Sequence, residues 1–133
     1  MDTIKTLVIE PLRRPELRDI DPTITAIGKT IGGYAEPLPL DRRTTLWCDE
    51  EGAIRNLKPN RTIRLSQDSR LADAGKPIII RGTFVITGPH PQDGPLGLDD
   101  EQIGRYAAMF ADPEAPCRLP DVKTFMIPVN PIG

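Results

Sequence analysis

The sequence predicts an α+β fold: a largely antiparallel sheet of four to six strands with two helices, followed by an extended proline-rich arm. Three observations carry that prediction. Short β-branched runs are cut by proline and glycine at strand-like intervals, two stretches bear helix start and stop signals, and five of the fifteen prolines fall after residue 112. A chain of 133 residues suits one core, so residues 1–112 are expected to form a single domain and 113–133 the arm.

Ile4 to Ile9 (IKTLVI) is apolar, β-branched and closed by Pro11, which reads as a central strand. The first helix follows. Asp21 is a candidate N-cap with Pro22 at the first helical position, Ile24, Ile27 and Ile31 recur on one face, and Gly32-Gly33 supplies the stop. Gly28, inside it, points to weak helicity or to close approach of another backbone. Tyr34 to Leu40 (YAEPLPL) alternates, but Pro37 and Pro39 cannot donate to a ladder, so the segment belongs at a sheet edge. Thr45 to Cys48 and Ala53 to Leu57 flank the acidic turn DEEG and read as a hairpin, with a positive φ expected at Gly52. Ile78 to Thr87 (IIIRGTFVIT) is the strongest strand signal, bent or bulged at Gly82.

The second helix has a complete start signal. Asp99 caps it with Gln102 three residues later, and Leu98 and Ile103 are placed as a hydrophobic staple. Ile103, Ala107 and Phe110 form the expected buried stripe, with Tyr106 at its margin, and Asp112-Pro113 ends the helix. In the arm, Val122 to Val129 (VKTFMIPV) has the alternation of a strand.

Composition excludes several functions. Lys+Arg 17 against Asp+Glu 19 gives a net charge of -2, neither the basic footprint of a nucleic-acid binder nor the charge of a DNA mimic. Aromatic residues at 5% leave few platforms for stacking single strands. Two distant cysteines, Cys48 and Cys117, with one histidine, His90, do not make an ordinary zinc site. Neither a signal-peptide pattern nor a membrane-spanning run is present, so the expected compartment is the cytoplasm, with no membrane partner and both thiols reduced.

Catalytic constellations are thin, and no cofactor is expected. His90 lies between two prolines and reads as a solvated loop residue rather than a general base. Cys48 reads as a small buried hydrophobe, and Cys117, beside Arg118, stands in a poor platform for chemistry. Asp49-Glu50-Glu51 reads as a turn and Asp99-Asp100-Glu101 as a helix N-terminus rather than as magnesium ligands. Gly32-Gly33 has neither the spacing nor the lysine of a phosphate cradle.

The segment CDEEGAIRNLKPNR changes sign along its length. After the acids come Arg55, Lys58, Arg61 and Arg64, four cations in ten residues around Pro59-Asn60, with no acid between them. Two readings stand: the cations pair with Asp49, Glu50 and Glu51, or a turn aims arginine forks at a phosphate or carboxylate.

LVIEP, IGGYAE, CDEEGAIRNLKPNR and IIIRGTFVITG followed by LDDEQIGRYAAMF, in that order, resemble the family called domain of unknown function three-eight-four-six, over roughly residues 4 to 111. The acidic-Gly turn leading to Pro-Asn-Arg is the most specific part. Where the family often has Asn-Glu-Glu-Gly, this chain has Cys48-Asp49 at the start. The resemblance implies a bacteriophage, plasmid or other mobile-element setting and supplies no catalytic residues.

On these grounds the expected protein is a non-catalytic, phage-type binding protein that counters host defence by sequestering an anionic, nucleotide-like signal. Arg61 and Arg64 would hold phosphate, Asn60 a base or ribose, and Tyr34 or Trp47 would stack. The alternative is a protein-interaction inhibitor or assembly module, with the arm, carrying FMIPV, adding a strand to a host protein or to another copy in a homo-oligomer.

Overall fold

The computed structural model describes residues 2–65, 76–92, 94–118, 120 and 125–132. Its centre is a five-stranded, wholly antiparallel sheet in the order β2-β1-β7-β4-β3. The strands are β1 (Ile4–Ile9), β2 (Glu16–Ile20), β3 (Ala35–Asp41), β4 (Thr44–Asp49) and β7 (Phe84–Thr87). β5 (Pro59–Arg64) and β6 (Pro77–Arg81) form a separate antiparallel ribbon, and β8 (Glu114–Cys117) and β9 (Phe125–Pro128) another. The α+β class and the two helices, α1 (Ile24–Ile31) and α2 (Asp100–Met109), agree with the sequence.

The inner strands are buried on both faces, and alternate residues go to different cores. Val8, Trp47 and Val85 face α1, where they meet Ile27 and Ile31. Leu7, Ile9, Leu46, Cys48, Phe84 and Ile86 face the other way, onto Tyr106 of α2 and Phe110 at its C-cap, and onto Ile63, Leu65 and Ile80 around the β5–β6 ribbon. Two-sided burial explains why these strands are continuously apolar instead of alternating with polar residues.

Several local expectations need correction. α1 is capped by Thr23 and not by Asp21: the Thr23 hydroxyl accepts from Ala26 N at 3.0 Å, while Asp21 offers its carbonyl to Thr23 N at 2.8 Å, so Pro22 lies outside the helix. Gly32 does end the helix at φ 88°, and its N–H reaches Gly28 O. A Cβ on Gly28 would lie 2.9 Å from Gly33 O, the close backbone approach anticipated there.

The predicted hairpin of Thr45–Cys48 with Ala53–Leu57 does not form. β4 is already paired on both edges, with β3 and β7, so no ladder position remains for a third strand. Residues 50–56 instead make consecutive turns, and the positive φ falls on Asn56 (54°), not Gly52. Pro37 and Pro39 do lie in an edge strand, β3. The long run Ile78–Thr87 becomes two strands, β6 and β7, divided at Gly82 with φ 79° and belonging to different sheets. β2 was not anticipated; its sequence ELRDI has no strong alternation.

α2 has the capping box its sequence announces, with Asp99 accepting from Gln102 N at 2.8 Å and Gln102 Oε1 accepting from Asp99 N at 2.9 Å. Tyr106 is deeply buried rather than marginal, because its hydroxyl donates to the Asp41 carboxylate. After residue 112 the chain folds back: β8 pairs with β9, Glu114 Oε1 accepts from Thr62 N at 3.1 Å, and Ile132 N reaches Leu12 O at 2.8 Å. The tail is a docked hairpin where an extended arm was expected; residues 122–124 of the predicted strand lie outside the described residues.

Candidate functional site

The segment from Cys48 to Arg64 divides into two sites with opposite fates. Its acidic end closes a turn by backbone bonds from Gly52 N to Asp49 O (3.2 Å), Arg55 N to Glu51 O (2.8 Å) and Leu57 N to Gly52 O (3.0 Å). The Asp49 side chain is buried, accepts from Glu51 N at 2.8 Å and is ion-paired with Arg55, whose Nη1 also donates to Gly32 O at 3.3 Å. Gly33 is required beside this pair, since a Cβ there would lie 2.8 Å from Arg55 Nη1 and collide with Asp49 Oδ2. The first cation of the basic run is thus paired with the first acid of the turn.

Asn60 and Arg61 are wholly buried. Asn60 Nδ2 donates to Ile9 O and to Gly82 O, each at 2.9 Å, which ties β5 to the end of β1 and to the β6–β7 bend. The Arg61 guanidinium donates from Nε to Phe110 O (3.3 Å), from Nη1 to Asn60 O (3.4 Å) and Oδ1 (2.7 Å), and from Nη2 to Arg13 O (2.6 Å) and Phe110 O (3.0 Å). A guanidinium has five N–H donors, and these five contacts engage them all. Burial lowers the Arg61 pKa, while the charges of Glu114 and Asp112 act to raise it. The pair is a latch joining β1, the β1–β2 loop, the β6–β7 bend and the end of α2.

The other residues expected to bind a ligand are spread across the molecule. Trp47 is buried on the α1 face, donating its Nε1 to Thr87 Oγ1 at 2.9 Å, with the His90 ring edge-on at 4.7 Å. Tyr34 is exposed between α1 and β3, and Arg64 is exposed at the end of β5 opposite Pro77. The structure joins Asn60 to Arg61 and does not gather Trp47, Tyr34 and Arg64 around them.

A concave surface lies instead at the acidic end. A groove of about 350 Å³ has β3 and β4 on one wall (Glu36, Leu38, Cys48), the acidic turn at one end (Asp49, Glu50, Gly52, Ala53), and Leu65 with Ile78 to Arg81 of β6 on the other. Glu36 stands opposite Cys48 in the β3–β4 register, so the register carries the carboxylate into the groove. Among the described residues no cation lies within ion-pair distance of Glu36 or Glu50. Arg81, the cation in the lining, directs Nη1 to Leu57 O at 3.1 Å.

Burial pushes the Cys48 thiol up to about 12, and the charges of Glu36 and Asp49 push it the same way. It is a poor thiolate, hence a poor nucleophile or soft-metal ligand. No group of three or more His, Cys, Asp or Glu placed to hold a metal ion occurs among the described residues. Glu36, Ile79 and Arg81 were not singled out from sequence. Glu36 is distant in the chain from Ile79 and Arg81 and meets them only through the β3–β4 register and the placing of the ribbon, and no local motif encodes either.

No helix among the described residues is long and apolar enough to cross a membrane. No curated protein and no solved structure matches the chain. The family model described as Domain of unknown function (DUF3846) matches residues 4–111, the span and the family that the sequence motifs suggested, and the chain belongs to that family.

Proposed function

We propose that this protein is a non-catalytic binding protein of the kind carried by bacteriophages and other mobile elements, acting in the host cytoplasm by occupying a host protein. The observation that carries this reading is the groove beside the acidic turn. The most specific stretch of the family signature lines it, together with a strand edge unpaired among the described residues, two carboxylates that meet no cation among those residues, and a thiol held in its neutral form. Such a surface suits recognition of a peptide segment better than acyl or phosphoryl chemistry, which would call for a nucleophile, a base or a metal. The nucleotide-sequestering form of the reading retains Tyr34 and Arg64 as its accessible side chains, and Arg61 offers it no free donor.

The test is display selection of random dodecapeptides on the native chain, with each enriched peptide re-measured against Ala53→Trp, a substitution at an exposed residue of the groove lining. Enriched peptides that bind the blocked variant at least tenfold more weakly support the reading. Failure to enrich any peptide, or peptides indifferent to the block, would remove it. A parallel calorimetric panel of cyclic and ADP-ribose-derived nucleotides decides the other form: binding abolished by Arg64→Ala would replace the peptide reading with sequestration.

A further inference from the structure

We infer that the groove takes an extended basic segment of another protein as an added strand on β6, with a lysine or arginine of that segment placed between Glu36 and Glu50. This rests on the binding reading above and specifies its partner chemistry and geometry.

The backbone supplies the first part. Thr62 and Ile79 are opposite one another in the β5–β6 ladder, yet Thr62 N donates to Glu114 Oε1 and so points away from β6. In an antiparallel pair the two residues either exchange both backbone bonds or turn both sets of groups outward. Thr62 and Ile79 are therefore an outward-turned pair, and the N–H and C=O of Ile79 face away from β5. Ile79 is part of the groove lining and is partly exposed, and among the described residues β6 pairs with β5 alone.

Two residues further along, Arg81 O lies on the same outward side, where a Cβ on Gly52 would come within 3.3 Å of it. The acidic turn thus covers this end of the strand edge, and no described residue pairs with the Ile79 end. The edge accepts a short strand that stops at the turn.

Charge supplies the second part. Asp49 is taken by Arg55 and Arg81 is directed to a backbone carbonyl, which leaves Glu36 and Glu50 as the groove carboxylates without a cation among the described residues. A phosphate or an acidic peptide would meet these charges unfavourably, while an ammonium or guanidinium on the added strand would be attracted by both. Leu38, Ile78 and Ile80 provide an apolar floor for the stem of such a side chain. Strand addition supplies affinity through main-chain bonds, and the side-chain pocket supplies choice.

The experiment uses the full chain, 15N-labelled, titrated with a capped hexapeptide alternating valine and lysine. Controls are the same peptide with glutamate for lysine, and the lysine peptide with alternate backbone nitrogens methylated. The expected result is saturable shifts of the Ile79 and Glu50 amides. Affinity should fall at least tenfold for the double variant Glu36→Gln, Glu50→Gln, whose melting temperature should be unchanged, and for the methylated peptide. Equal binding by the double variant, equal binding of the glutamate or methylated peptide, or a lack of shift at Ile79 would overturn the inference. If display selection yields groove-dependent peptides that are neither basic nor extended, the binding reading survives and this inference does not. If no groove-dependent peptide is selected, both fall.

Discussion

The latch at Asn60-Arg61 and the groove at Glu36-Glu50 flank the same segment and treat charge in opposite ways. At the latch a guanidinium is withdrawn from water and every donor has a carbonyl acceptor, so the charge acts as structural cement. At the groove, carboxylates remain without a cation among the described residues and border an open cavity. The difference shows that a basic run is not evidence of an anion site until its donors have been followed to their acceptors. Buried polar groups are retained when fully satisfied, whereas unsatisfied charge at a concave surface is available to a partner.

The sharpest way to break the comparison is Arg61→Met, which keeps much of the side-chain volume and removes all five donors. It should cost about 3 kcal/mol or more, because the carbonyls of Phe110 and Arg13 and the Asn60 amide oxygen lose their partner together. Urea unfolding would measure it. A midpoint within error of the native chain would mean the latch is not structural and would return Arg61 to the list of ligand candidates.

Asn60→Ala is expected next, at about 2 kcal/mol, since Ile9 O and Gly82 O both lose a donor in a fully buried position. Additivity tests whether the two residues form one unit: the double variant should lose less than the sum of the singles, given the bond from Arg61 Nη1 to Asn60 Oδ1.

Tyr106 is an intermediate case, a buried phenol donating to the half-buried Asp41. Tyr106→Phe should cost about 1 kcal/mol at neutral pH. Burial, and then the bond to Asp41, push the Tyr106 hydroxyl up to about 12 from 10.0. The folded state therefore holds this proton more tightly than the unfolded chain. The linked stability is fully present below pH 10 and is lost as pH rises through about 12. Cys48, moved from 9.0 to about 12, adds a loss of the same sign that begins lower. Urea midpoints measured from pH 8 to 12 should fall less steeply for Tyr106→Phe than for the native chain; parallel curves would contradict this account.

The smallest expected effect on stability is at the groove. Glu36→Gln and Glu50→Gln should each change the unfolding free energy by no more than about 0.5 kcal/mol, because neither carboxylate has a charged partner among the described residues to lose. A large loss by calorimetric melting would make them structural and erase the contrast with the latch.

The fold was legible wherever a local rule decides the outcome. The Asp99–Gln102 capping box, the Gly32 helix stop, the edge position of a strand with two prolines and the break at Gly82 each follow from one residue's own chemistry. The failures share a cause. Whether Ala53–Leu57 is a strand depends on whether β4 has an edge to offer, and both of its edges are taken by distant partners. Arg61 looks the same in sequence whether its fork meets phosphate or the carbonyls of Phe110 and Arg13, and the groove exists only after Glu36 has been placed opposite Cys48.

The bend at Gly82 has a kinetic consequence. One chain passes from ribbon to main sheet between Arg81 and Phe84, and the Asn60 amide clamps Gly82 O to the end of β1 at that crossing. The ribbon is therefore tied to the main sheet at its Gly82 end. Those of its amides that are bonded across the β5–β6 ladder should exchange with solvent only when the sheet also opens, so that the paired parts of β5, β6 and β7 behave as one cooperative unit in hydrogen exchange. A segment bound at β6 would then slow exchange along the whole unit, and a surface contact would register in the core.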